Sequence, residues 1–216
     1  ASLVLAARVN LQKFWVEHFH VVVPVLLSCV LSFRGIAAVG FWVDELYTLN
    51  AVTTGLGATN QEPSYLPYYT LVWAMTGGGN CLSEACLRWP SAVAVVLTVG
   101  LLSATARHVA NQKAGLVAGV LAALAPGMQR FAHEARPYAI PILLIALSTL
   151  LLVLAQERSG TRLWIAYGAS VSAAALLLPV VLAVLPAQLS LMVLNGSLRR
   201  NARKLLFACT FLVPVA

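Results

Sequence analysis

The segment VVVPVLLSCVLSFRGIAAVG, residues 21–40, contains a single charged residue, Arg34. A run of roughly 20 apolar residues is what a helix needs to cross a hydrocarbon core about 30 Å thick. Further apolar runs follow at 89–106, 114–130, 138–155 and 163–194. In lipid every backbone N–H and C=O must be satisfied within the protein, which restricts a spanning chain to helices or a closed barrel. These runs are continuous and rich in Ala, Leu and Val, with no alternation of polarity, so helices are expected. Composition agrees: 60% of the 216 residues are hydrophobic and 10% charged, against about a quarter charged in soluble domains. The mean hydropathy is +0.85. The expected fold class is an all-α polytopic membrane protein.

The net charge of +7 has the distribution of a membrane protein and does not point to nucleic acid. Positive residues in short loops mark the cytoplasmic side. Arg8 and Lys13 place the N-terminus inside, with helices expected at about 19–40, 89–106, 114–130, 138–155, 163–178 and 179–195. Pro179 disfavours one continuous helix from 163 to 194, and basic residues at both ends of that run favour two. The result is six crossings and an incomplete seventh segment at 205–216, as in the N-terminal part of a longer protein. The N-terminal run lacks a small-residue cleavage site and reads as a retained helix. Residues 41–88 form an outer loop, in which 64–78 is expected to lie on the membrane surface. Tyr65, Tyr68, Tyr69 and Trp73 suit that depth.

Two polar stretches break the apolar background on the outer side. One is Asp44-Glu45 within FWVDELYT. The other is FAHEARPYAIP, residues 131–141, which holds His133, Glu134 and Arg136 just after Arg130. Arginines on the outer face run against the positive-inside bias and point to a bound anion. The link between the third and fourth spans has little freedom to wander, so the two stretches are expected to face one cavity. Charges beside helix ends also snorkel to headgroups without further purpose, the plainest reading for Arg88 beside Trp89. Arg34 divides evenly between a buried cation and a snorkelling one.

Four elements occur in order: FWVDELYT, a helix with YYTLVW, SEACLRWPSAVAVV and FAHEARPYAI. Together they resemble the N-terminal half of the GT-C superfamily of membrane glycosyltransferases, over roughly residues 20–195. The similarity is to bacterial protein-O-mannosyltransferase-like and aminoarabinose-transferase-like enzymes. That resemblance implies an inverting transfer of a sugar, mannose or another hexose or pentose, from a polyprenyl-phosphate donor to an acceptor hydroxyl. The acceptor class (glycan, lipid or protein) stays open, and the site is implied to lie on the extracytoplasmic face of the plasma membrane. Two departures are QEPSYLPYY, which lacks a His-x-Pro element before the tyrosine pair, and Leu-Leu-Leu-Pro where relatives carry a polar turn.

The resemblance implies Asp44 as the base that takes the acceptor proton, a task suited to a carboxylate in hydrogen-bond reach. Glu45 points to another side of any helix starting there and is expected to support. The leaving lipid phosphate gains charge, which favours aimed cationic donors. Arg136 is the first candidate because guanidinium chelates phosphate oxygens, with His133 and Tyr138 as further donors. Glu134 would hold a divalent metal or fix Arg136; metal use stays open. Cys81 and Cys86 lie in the outer loop, where an oxidising exterior permits a disulfide, while Cys29 and Cys209 read as small core residues. The alternative function is a transporter or lipid-handling protein that holds an anionic headgroup through Arg130 and Arg136, although no internal repeat supports it.

Overall fold

The computed structural model describes residues 2–54, 63–158, 161–194, 201 and 204–205, with side chains from Glu17 onward. Among these residues there is no strand. The helices with described bounds are, in chain order, α1 (Ser2–Phe33), α2 (Val43–Thr53), α3 (Leu66–Met75), α4 (Glu84–Val109), α5 (Gln112–Leu124), α6 (Pro126–Ala132), α7 (Ala139–Glu157), α8 (Thr161–Leu177) and α9 (Leu185–Leu194). Short 3-10 turns at Pro63–Tyr65 and Pro179–Val184 lead into α3 and α9. The protein is an all-α membrane protein. By length and composition α4 and α7 can cross a bilayer, and α5 with α6 makes a third span if the bent pair is one crossing.

Several of the helices expected from the sequence have other bounds. The first expected span, 19–40, ends at Phe33 instead, because residues 34–42 turn and Gly35 takes φ +74°. Its described apolar part, Glu17–Phe33, is among the shorter apolar helices, as is Pro179–Leu194. At about 1.5 Å per residue Pro179–Leu194 falls short of the roughly 30 Å of a hydrocarbon core when upright, whereas α1 as a whole runs 32 residues from Ser2 and exceeds it. The span expected at 114–130 breaks at Ala125, and its two halves diverge by 60°. The cause is local. Ala125 precedes Pro126 and is extended (φ −62°, ψ 122°), as the clash with a following proline ring demands, and Pro126 then opens α6 as a first-turn proline. Leu178 before Pro179 is likewise extended (φ −155°, ψ 95°), which ends α8. The incomplete segment at 205–216 lies outside the described residues except Leu205.

Helix α4 is the hub, packed against α1, α5 and α7, while α8 covers α7. In a membrane, apolar burial does not drive helices together, so small residues that permit close approach matter more. A Cβ on Gly115 would stand 2.8 Å from the Ser103 carbonyl oxygen, and one on Gly119 2.7 Å from the Pro24 side chain. Those two glycines let α5 close on α4 and α1. On the other flank Gln188 is buried and cross-links three helices. Its amide donates to Ser148 Oγ (2.9 Å) and Thr149 Oγ1 (3.1 Å) on α7 and accepts from Tyr167 Oη (3.0 Å) on α8. Cys29, expected in the core, is exposed on the outside of α1; Cys209 lies outside the described residues.

The candidate site at the N-terminal end of α4

The residues after α1 double back into α2, whose first turn contains Asp44 and Glu45. Glu45 occupies the third position of that turn and accepts from the Trp42 main-chain N–H (3.3 Å), the half of a capping box that a glutamate there supplies. Its side chain is fully buried. Oε1 accepts from Arg88 Nε (2.8 Å) and the Ala135 N–H (2.8 Å), and Oε2 from Arg88 Nη2 (2.6 Å). Arg88 Nη1 donates to the carbonyls of Ile36 (3.0 Å) and Val39 (2.7 Å), and Nη2 to that of Gly40 (3.1 Å). A guanidinium has five N–H donors, and all five are engaged. Arg88 is thus no headgroup anchor: it is 4% exposed and clasps the end of α1, the start of α2 and the head of α4 into one unit.

The loop after α6 is held by the same unit. Ala135 gives its N–H to Glu45, and its carbonyl accepts from Thr48 Oγ1 (2.7 Å). Arg136, the next residue, is 4% exposed. Its Nη1 donates to the Asp44 carbonyl (3.2 Å) and to Tyr69 Oη (3.3 Å), and its Cζ lies 5.3 Å from the centre of the Tyr65 ring. Tyr68 and Tyr69 are each 1% exposed and pack in the core with Val52, Val72 and Leu87, whereas the sequence placed them at the membrane surface. Burial, outweighing the nearby Arg136 charge, pushes the Tyr68 phenol well above its ordinary range, so it stays protonated.

Asp44 therefore touches Arg136 through its main chain, and its carboxylate lies elsewhere. It is half-buried, and among the described residues no donor bonds it. The contrast with Glu45 follows from helix geometry: neighbours in sequence point about 100° apart on a helix, so the two carboxylates face different surroundings.

Beside this turn lies a cavity of about 330 Å³ lined by Trp42, Glu45, Arg88, Arg130, His133 and Glu134 among others. Arg130, not Arg136, is the accessible guanidinium here, with its side chain 66% exposed. Its Nε donates to Glu134 Oε1 (2.7 Å) and its plane lies 5.7 Å from the Trp42 ring centre. Glu134 thus fixes Arg130 instead of Arg136. Its other oxygen, Oε2, is buried and has no hydrogen-bond partner. His133 Nε2 lies 3.0 Å from the Ser32 carbonyl; a carbonyl only accepts, so Nε2 carries the proton and Nδ1 donates only in the imidazolium form. The Tyr138 ring packs on Phe131, 5.4 Å between centres, and does not line the cavity. Arg34 is exposed just past α1.

Among the described residues no three His, Cys, Asp or Glu side chains converge as metal ligands. Cys81 and Cys86 are joined as a disulfide with Cα atoms 5.9 Å apart. The link straddles Ser83, whose Oγ caps α4 by accepting from the Cys86 N–H (3.3 Å).

The sequence profile described as dolichyl-phosphate-mannose-protein mannosyltransferase matches residues 67–216. That range takes in Arg88 and the 130–138 turn but not Asp44 or Glu45. No curated protein and no solved structure matches the chain. With most of its length matched and an all-α membrane architecture, the chain belongs to the dolichyl-phosphate-mannose-protein mannosyltransferase family, of the GT-C type of glycosyltransferases.

Proposed function

We propose that this protein transfers a sugar from a polyprenyl-phosphate donor to an acceptor hydroxyl, with inversion, at the extracytoplasmic face. The reading is supported by the half-buried Asp44 carboxylate, which has no hydrogen-bond donor among the described residues and sits in the same turn as Glu45, a residue that lines the cavity. The family description names a mannosyl phospholipid donor and a protein acceptor, which makes mannose the first sugar to test and a serine or threonine hydroxyl the first acceptor. The orientation draws on the charges. Arg107 in the last turn of α4, Lys113 just after it, and Arg158 and Arg162 after α7 cluster at the far ends of these helices, which lie together because His108 Nε2 is 2.9 Å from Glu157 Oε2. By the positive-inside rule that end is cytoplasmic, so the opposite end, with its disulfide, faces outward.

In the proposed step the acceptor oxygen attacks the anomeric carbon while its proton passes to Asp44. The bond from the anomeric carbon to the phosphate oxygen breaks, and its electron pair leaves with the polyprenyl phosphate. Arg130 supports that departure. Its Nε is held by Glu134, and its two Nη groups have no partner among the described residues, so they are available to the developing charge. Arg136 acts on position: it grips the Asp44 main chain, and Tyr69 grips Arg136.

Asp44→Asn tests the base. It keeps size and polarity while removing basicity, and loss of a general base lowers rates about 10²–10⁴-fold. The reading requires that transfer collapse while expression and donor binding persist. Transfer at the wild-type rate would remove Asp44 from the role.

A further inference from the structure

A second polar cavity lies at the other end of the bundle. Arg107 stands nineteen residues beyond Arg88 on α4, about 28 Å along the helix axis at 1.5 Å per residue. Around it opens a cavity of about 480 Å³ lined by His20, Val21, Ala104, Arg107, His108 and Leu150. Three helices, α1, α4 and α7, contribute to it. Sugar transfer at the Asp44 end makes no use of it.

His20 is the informative residue. It is 0% exposed, and neither ring nitrogen has a hydrogen-bond partner among the described residues. An unmet buried donor is costly, and most buried polar groups in proteins are paired. A leucine or phenylalanine would satisfy the packing without that cost. The surroundings hold the ring in place. Ser103 Oγ lies 2.6 Å from the His20 carbonyl and 2.9 Å from the Gly115 carbonyl. A Cβ on Gly115 would stand 2.8 Å from the Ser103 carbonyl oxygen and 3.2 Å from the imidazole Cδ2, so the glycine lets α5 pack closely against α4 and the ring. The cavity also has its charge at the mouth: Arg107 is exposed there, and the Glu157 carboxylate is engaged by His108 Nε2 at 2.9 Å.

A buried imidazole N–H at the base, with a guanidinium at the rim, matches a phosphate oxygen set. Guanidinium binds phosphate through paired N–H donors, and basic pockets between membrane helices take up phospholipid headgroups. We propose that the cavity between α1, α4 and α7 at the Arg107 end binds a phosphate group, with His20 donating from within and Arg107 closing from the mouth. The phosphate belongs either to a phospholipid whose chains lie along the bundle or to a small soluble phosphate.

The purified protein in nanodiscs containing phosphatidic acid, or in otherwise matched discs containing diacylglycerol, separates these cases. Native mass spectrometry reads the lipid retained after release from the disc; inorganic phosphate is added as competitor in a parallel arm. Phosphatidic acid, and not diacylglycerol, should be retained. Both His20→Phe and Arg107→Gln should reduce that retention about ten- to hundredfold, the loss expected for one charge-assisted hydrogen bond. Displacement by inorganic phosphate would assign the soluble source, and resistance to it the lipid. His20→Leu, which also lacks a donor, serves if the phenylalanine variant fails to fold. Equal retention of the two lipids together with no effect of inorganic phosphate would overturn the proposal. So would loss in Arg107→Gln alone, since a general surface charge gives that result without His20.

Discussion

Replacing Arg88 with Met separates the structural from the chemical part of the site. Methionine fills much of the same volume, so the change removes the fork of donors more than it removes packing. Three things are lost at once. The Glu45 carboxylate, fully buried, keeps only the Trp42 and Ala135 amides. The carbonyls of Ile36, Val39 and Gly40 lose their donor. The head of α4 is released from the turn before α2. Removing one partner of a buried ion pair costs about 3–5 kcal/mol. The three carbonyls are partly exposed, so water recovers most of their loss. A total near 4 kcal/mol is a large share of the roughly 5–15 kcal/mol that holds a typical fold. For a chain of this length it corresponds to a fall in Tm on the order of 10 °C. A melting curve in detergent, followed by tryptophan fluorescence, measures it. Sugar transfer should fall with it, because the Asp44 turn is no longer pinned. Arg88→Lys should lie between, since an ammonium cannot reproduce the bidentate fork. Melting of Arg88→Met within a degree or so of wild type would refute the clasp, and with it the claim that the clasp pins the Asp44 turn.

Other changes probe separate parts of the account. Arg130→Gln should lower transfer by about 10²–10³-fold, the usual loss for one donor aimed at developing charge, with little change in Tm because the side chain is mostly exposed; initial rates and melting on the same sample decide it. Gly119→Ala should destabilise by about 1–3 kcal/mol, since its Cβ would meet the Pro24 ring at 2.7 Å and force α5 from α1; melting reads the cost. Gln188→Leu removes the cross-link among α7, α8 and α9. At about 0.6 kcal/mol per interhelical bond in membranes, with three bonds lost, it should cost about 2 kcal/mol while the transfer rate per folded molecule holds.

The parts of this fold visible in the sequence are those that depend on solvent and on local chain geometry. Lipid demands long apolar helices, so α4 and α7 are plain from the runs that contain them. The breaks at Ala125 and Leu178 are written locally, as residues that precede proline. Pairings distant in the chain have no such signature. Glu45 and Arg88 are forty-three residues apart, and a buried acid and a surface anchor look alike until the fold joins them. The same holds for the tyrosines: aromatic rings suit a membrane surface, but Tyr68 and Tyr69 are buried among Val52, Val72 and Leu87. Arg136 is the first phosphate candidate from the sequence, while Arg130 is the one of the two that lines the cavity. Arg130 and Glu134 have the i, i+4 spacing of an ion pair, which ties Glu134 to Arg130 and leaves Arg136 to the Asp44 carbonyl. His20 offered nothing: one histidine in an apolar run does not reveal whether its ring finds a partner.

The arrangement rests on Asp44 and Arg130 serving one bound donor from opposite sides of the sugar. An experimental structure with a non-transferable polyprenyl-phosphonate sugar bound tests that directly. The account predicts the phosphonate within hydrogen-bond distance of Arg130, in the cavity beside Trp42 and His133, with the Asp44 carboxylate on the far side of the anomeric carbon. A phosphonate seated away from Arg130, or an anomeric carbon that turns its phosphate-bearing face toward Asp44, would contradict it.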